Sequence, residues 1–230
     1  MKINFNEINQ KYLINSFLFF CFCIFLFPLN VQAQCDSNDY IVVYVNGIFT
    51  PTRDLAEKDQ AILEEKFKKI TKRSDVTFIT GYNESHIGGL GDLVQVASQI
   101  LKNPISDYDL KTILIQLHNQ INTKKILLVG HSQGTFYTNE MYYYLINNGI
   151  PKKSIAVYNI ATPANFVAGN GEYLTSRSDK VINAVRRVAS SINASQPLPA
   201  NNIDILPNEK DPNGHLRVNR HFGCLILALL

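Results

Sequence analysis

Five consecutive residues, Gly130-His131-Ser132-Gln133-Gly134, carry the strongest chemical signal in the chain. A serine with glycine two positions away on each side suits a turn whose shoulders have no room for side chains. The run before it, Lys125–Val129 (KILLV), reads as a buried strand. A helical pattern follows from about Thr135 to Asn148, stopped by Gly149 and Pro151. A strand that turns this sharply into a helix lifts the Ser132 hydroxyl above a sheet, and the helix N-terminus favours negative charge developing beside it. Such a placement allows nucleophilic attack on an acyl carbon.

A serine hydroxyl is a poor nucleophile until a histidine takes its proton and a carboxylate holds that imidazole in one tautomer. His131 adjoins the serine on a sharp turn and is expected to be structural or to line the cleft. His215 follows Asp211-Pro212-Asn213-Gly214, a run of turn formers, so it belongs on a loop that bends freely. His221 runs into Phe222-Gly223-Cys224-Leu225, which reads as a closing helix or strand. Candidate carboxylates are Asp179, in a segment rich in serine and threonine, Asp204, and Asp211, which is too near His215 in sequence to approach it from another loop.

Positioning these groups falls to a series of alternating elements. Tyr40–Val45, Asp75–Thr80, Lys125–Val129, Ser154–Ile160 and Lys180–Val185 are short apolar runs expected to be strands. Between them lie helical stripes. The first is capped by Asp54 with Glu57 three residues on, and turns Ile62, Leu63, Phe67 and Ile70 to one face; its lysines and glutamates form an ordinary solvated face. Two more stripes run through Leu90–Leu101 and Leu110–Ile121. Strands that are apolar throughout and alternate with helices predict an α/β architecture, a mostly parallel sheet with helices on both faces. Ligands bind such sheets at the carboxyl ends of the strands.

The Gly-His-Ser-Gln-Gly segment between KILLV and a helix resembles the lipase and esterase branch of the α/β-hydrolase superfamily, and is most similar to small exported bacterial hydrolases. Val45-Asn46-Gly47-Ile48, Tyr82-Asn83, the segment 175–182 and Gly214-His215 agree with it in order, so the likeness spans about Tyr40 to His221. It implies the α/β-hydrolase fold and an order of serine, then acid, then histidine. Carried onto these residues, it implies Ser132 as nucleophile, Asp179 as acid in an Asp-x-Val-Ile turn, and His215 as base. Oxyanion donors would be the backbone N–H groups of Gln133 and Ile48; Asn46-Gly47 stands where lipases commonly have His-Gly, a departure that leaves a main-chain donor intact. His86 and His118 precede the serine and fall out of order. The implied activity is cleavage of a small-molecule or lipid ester, with acyl transfer to an alcohol, or a hydrolase-like binding domain without catalysis, as alternatives. The 162–175 segment is too short for a large lid, which favours short or accessible substrates.

At 230 residues and 46% hydrophobic the chain suits one good-sized domain, and a net charge of +3 with no long basic run offers nothing to nucleic acid. Neither a metal-ligand cluster nor a phosphate or dinucleotide loop is visible, so no cofactor and no metal is expected. The first 33 residues differ. Lys2 and Lys11 precede the apolar Tyr12–Pro28, and Val31-Gln32-Ala33 follows with the small or branched residues of a cleavage site. This layout predicts a signal peptide over 1–33 and a secreted or periplasmic domain over 34–230 with no stable membrane span. An uncleaved anchor is the alternative, although an apolar run of about 17 residues is short for a bilayer. A lipoprotein reading is weaker, because no leucine stands three positions before Cys35. Cleavage takes two of the 22 basic and one of the 19 acidic residues, leaving a net charge of +2, with Cys35 and Cys224 as the remaining cysteines. In an oxidising compartment those two either pair or stay as free thiols. Mass spectrometry of the mature protein from its host should find an N-terminus at or near Gln34; an intact Met1 in membranes would replace the signal with an anchor.

Overall fold

A computed structural model describes residues 39–84, 93–102, 104–121, 125–201 and 211–215. The expected signal segment, Cys35, Cys224, His86, Asp204 and His221 lie outside the described residues. Three of the strands follow directly from continuous β-branched and aromatic runs: β1 (Tyr40–Val45), β3 (Lys125–His131) and β4 (Ile155–Ile160). With β2 (Val76–Gly81) and the short β5 (Glu172–Leu174) they form one sheet in the order β2-β1-β3-β4-β5, every neighbour parallel. The helices are α1 (Arg53–Thr71), α2 (Leu93–Lys102), α3 (Asp107–Ile121), α4 (Gly134–Asn147) and α5 (Lys180–Ser191).

Alternation along β1 separates the two faces of the sheet. Ile41, Val43 and Val45 pack with Ile113 and Leu117 of α3 and Tyr137 and Met141 of α4. Val42 and Tyr44 pack on the other side with Leu63 and Phe67 of α1 and Ile182 of α5. Burial on both faces explains why these strands are apolar throughout. A third cluster gathers beyond the end of β1, where Ile48 meets Ala97 and Ile100 of α2 and Val185 and Val188 of α5, with Phe49 and Phe136 against them. The chain has an α/β fold: a parallel sheet, helices on both faces, and a strand–turn–helix at Ser132 in its centre.

Two expectations need correction. Lys180–Val185 is the start of α5, not a strand, and the fifth strand is Glu172–Leu174. The reason is local. The Ile182 N–H donates to Asp179 Oδ1 at 2.9 Å, an N-cap, and Val181, Ile182, Val185, Val188 and Ala189 then recur with helical spacing and are all buried. Cap and periodicity together outweigh the weak strand preference of Val and Ile. In α1 the cap is Thr52, whose Oγ1 accepts from the Leu55 N–H at 3.4 Å, while Asp54 lies in the first turn. Its inward stripe is Ala56, Leu63 and Phe67, with Ile70 exposed.

That stripe has a fourth member. Asp59 sits three residues after Ala56 and four before Leu63, on the inward side of α1, and is partly buried. Burial pushes its carboxyl up to about 6. A raised carboxyl favours folding while it is protonated and loses that advantage as pH climbs through its folded value. Asp59→Asn should therefore add about 1–2 kcal/mol of stability at pH 8, allowing for the solvent that still reaches the side chain. The gain should shrink as pH falls through about 6 and vanish below about pH 4. Urea melts across pH would reveal a gain that ignores pH, in which case the carboxyl is not displaced. A second test concerns Gly134, where an added Cβ would stand 2.3 Å from the Val45 carbonyl oxygen. Gly134→Ala must push α4 off β1 and should cost about 3 kcal/mol or more, read as a lowered urea midpoint.

Candidate active site

The turn between β3 and α4 places Ser132 with φ of 53°, left-handed backbone that side-chain-bearing residues avoid. Its neighbours hold it there. The Ser132 N–H donates to Ile160 O at 2.9 Å, and the Thr135 hydroxyl donates to Ser132 O at 2.7 Å. Thr162 Oγ1 donates in turn to Thr135 Oγ1 at 3.0 Å, linking the turn to the segment after β4. A Cβ on Gly130 would meet Thr135 Cα at 2.7 Å, so both glycines of the motif mark places where backbone meets backbone.

Asp179 and His215 converge on that serine from two loops. Asp179 lies five residues beyond β5, at the carboxyl edge of the sheet, and turns one oxygen to the α5 backbone. The other, Oδ2, accepts from His215 Nδ1–H at 2.8 Å. A proton on Nδ1 leaves Nε2 as an acceptor, and the Ser132 hydroxyl donates to it at 2.9 Å. All three residues have no solvent-exposed surface. The 211–215 loop is tied down at several points. Gly214 turns with φ of 63°, the His215 N–H donates to Asp211 Oδ1 at 3.0 Å, and the Lys180 N–H donates to Asn213 O at 3.0 Å. Asp211 thus holds the His215 backbone and not its ring. His131 Nε2–H donates to the His215 carbonyl at 3.1 Å, and Phe49 meets the His215 ring edge to face at 5.8 Å.

Ile48 and Gln133 flank the serine on separate segments, and both are buried. The loop after β1 approaches so closely that a Cβ on Gly47 would stand 2.7 Å from Ser132 Cβ. Among the described residues no hydrogen bond engages the N–H of either Ile48 or Gln133. Behind them is a buried amide network that the sequence pattern does not mark. The Asn83 N–H donates to Asn46 Oδ1 at 2.8 Å, Asn46 Nδ2 donates to Asn83 O at 3.0 Å, and Asn83 Nδ2 donates to Gln133 Oε1 at 3.0 Å. Asn46 therefore braces the β1 loop against the β2 loop, which accounts for an asparagine where lipases commonly have histidine.

The cleft beside the serine has a volume of about 180 Å³, smaller than pockets that enclose drug-sized ligands. Gly47, Phe49, Thr50, Leu55 and Asp59 line it together with His131, Ser132 and His215. Asp59 is the residue here that sequence reasoning missed, since a charge within a helix reads as solvent-facing. The signal available was its place in the 56–59–63–67 stripe. Among the described residues no group of His, Cys, Asp or Glu is arranged to hold a metal ion, and no helix is long and apolar enough to cross a membrane.

No protein-family model matches the chain, and no curated protein does. Solved structures that resemble it include an acetyl xylan esterase in an iodinated complex, at 12% identity over 84% of this chain and 98% of that one, with a TM-score of 0.42. A second is the RedJ thioesterase of prodiginine biosynthesis from Streptomyces coelicolor, at 14% identity over 74% and 55% of the two chains, TM-score 0.36. A third is a cutinase-like protein from Cryptococcus sp., at 14% identity over 54% of each chain, TM-score 0.32. The chain spans about half the length of the last two. These likenesses are shallow, and the fold stands on the strand order and the two packed faces of the sheet.

Proposed function

We propose that the domain from about residue 34 onward is an exported serine hydrolase that cleaves carboxylic esters through an acyl-enzyme, with Ser132 as nucleophile, His215 as general base and Asp179 as its orienting acid. One observation carries the reading: the unbroken path from Ser132 Oγ through His215 Nε2 and Nδ1 to Asp179 Oδ2, at 2.9 and 2.8 Å, on the turn where β3 enters α4.

Each step has a group in place. His215 Nε2 takes the Ser132 proton as Oγ attacks the ester carbonyl carbon, and Asp179 stabilises the imidazolium that forms. Negative charge moves to the former carbonyl oxygen, where the N–H groups of Ile48 and Gln133 and the start of α4 offer donors and a favourable dipole. His215 returns its proton to the leaving alcohol as the C–O bond breaks, leaving the acyl group on Ser132. Water then attacks with His215 again as base, and the acid is released. The small cleft suits a short acyl or alcohol portion. No step calls on a metal or an organic cofactor.

A fluorophosphonate probe should label the wild-type protein and fail to label Ser132→Ala of unchanged circular dichroism. Turnover of short aryl esters should fall by roughly four to six orders of magnitude in Ser132→Ala and comparably in His215→Ala. His221→Ala should keep most of the activity. Labelling that survives in Ser132→Ala removes the serine from its role, and an inactive His221→Ala with an active His215→Ala transfers the base to His221.

A further inference from the structure

The hydrolase reading uses Ser132, His215 and Asp179 and leaves Asp59 unexplained. Its carboxylate occupies the inward stripe of α1, between Ala56 and Leu63, where an apolar side chain would pack at lower cost. Among the described residues no hydrogen bond or ion pair reaches it. Tyr44, fully buried on β1, lies close enough for its phenol to be raised by the Asp59 charge as well as by burial. The Tyr44 hydroxyl has no hydrogen-bond partner among the described residues. A carboxylate with no partner among the described residues, Asp59, thus forms part of the wall of the cleft that holds the serine, with the buried, unpartnered Tyr44 hydroxyl near it.

A desolvated carboxylate is offset best by an opposite charge. The lining contributed by Gly47, Phe49, Thr50 and Leu55 contains no cation, which leaves an opposite charge to be supplied by the substrate. Phe49 and Leu55 supply apolar contact for the alkyl part of such a group, and an aromatic ring tolerates a cation nearby. We propose that Asp59 makes the cleft beside Ser132 a cation-recognition site, and that the preferred ester carries an alkylammonium group a few bonds from its scissile carbonyl. This specificity rests on the hydrolase reading for its ester but not for its cation. Esters with a carboxylate or phosphate at that position are repelled.

Acetylcholine and its uncharged isostere 3,3-dimethylbutyl acetate share shape and leaving-group position, so their ratio of kcat/KM isolates the charge. At about pH 7.5, where Asp59 is ionised, the wild-type ratio should be about tenfold or more, expressed in KM. It should fall close to one in Asp59→Asn and in Asp59→Leu, a second variant should the first not fold. Raising salt to about 0.5 M should shrink the wild-type ratio. A wild-type ratio of one or below, or a ratio kept in both variants, overturns the proposal while leaving probe labelling of Ser132 intact. If neither ester is turned over and Ser132 is not labelled, the hydrolase reading falls, and calorimetry with tetramethylammonium decides the cation site alone. Saturable binding to wild type that Asp59→Asn abolishes upholds it, and no binding to wild type overturns it.

Discussion

The closest constraint in the fold is the contact between the start of α4 and the end of β1, where Gly134 lies so near the Val45 carbonyl that even a methyl group has no place. Because the two backbones touch, β3 must reverse into α4 within the span of Ser132 and Gln133, and the serine is driven into left-handed backbone. The same contact brings the loop after β1 against the serine, so Gly47 and Ile48 are neighbours of a residue far away in sequence. Packing of this kind sets distances that flexible side chains could not hold, since interiors are close-packed and yield little.

Around that contact the loops at the carboxyl edge are fastened by buried polar groups. Amides of Asn46, Asn83 and Gln133 join the ends of β1 and β2 to the turn. Hydroxyls of Thr135 and Thr162 join the turn to the segment after β4. Asp211 and His131 hold the backbone of His215. Each group is satisfied, and a satisfied network in a low-dielectric interior gives rigidity where a half-satisfied one would cost stability. The Tyr44 and Thr80 hydroxyls break that pattern, since neither has a hydrogen-bond partner among the described residues.

Much of this was legible in the residues. The Gly-His-Ser-Gln-Gly motif announced its turn because the hydrophobic period changes from a continuous strand to a helix across it. β1, β3 and β4 stood out as buried runs, and their bounds in the structure differ from the pattern by no more than two residues. Other parts were hidden for physical reasons. β5 is three residues long with Glu172 exposed, too short for any periodicity. Lys180–Val185 has strand-like composition but a helix cap, and the cap decides because it satisfies backbone donors that composition ignores. The link between Asn83 and Gln133 spans 50 positions, a pairing that one chain's pattern does not encode.

Asp179 and Ser132 differ in what would become of them if the chemistry were abandoned. Asp179 would still cap α5 through Oδ1, so purifying selection on folding alone would retain it. Ser132 has the opposite standing. At φ of 53°, buried and side-chain-bearing, it occupies a position where glycine would relieve strain of about 1 kcal/mol. That replacement would also take the hydroxyl from buried His215 Nε2, so the relief of backbone strain is set against an unpaired ring nitrogen. The serine at this position is thus held against the preference of the backbone that carries it, and among the described residues only its bond to His215 offsets that cost.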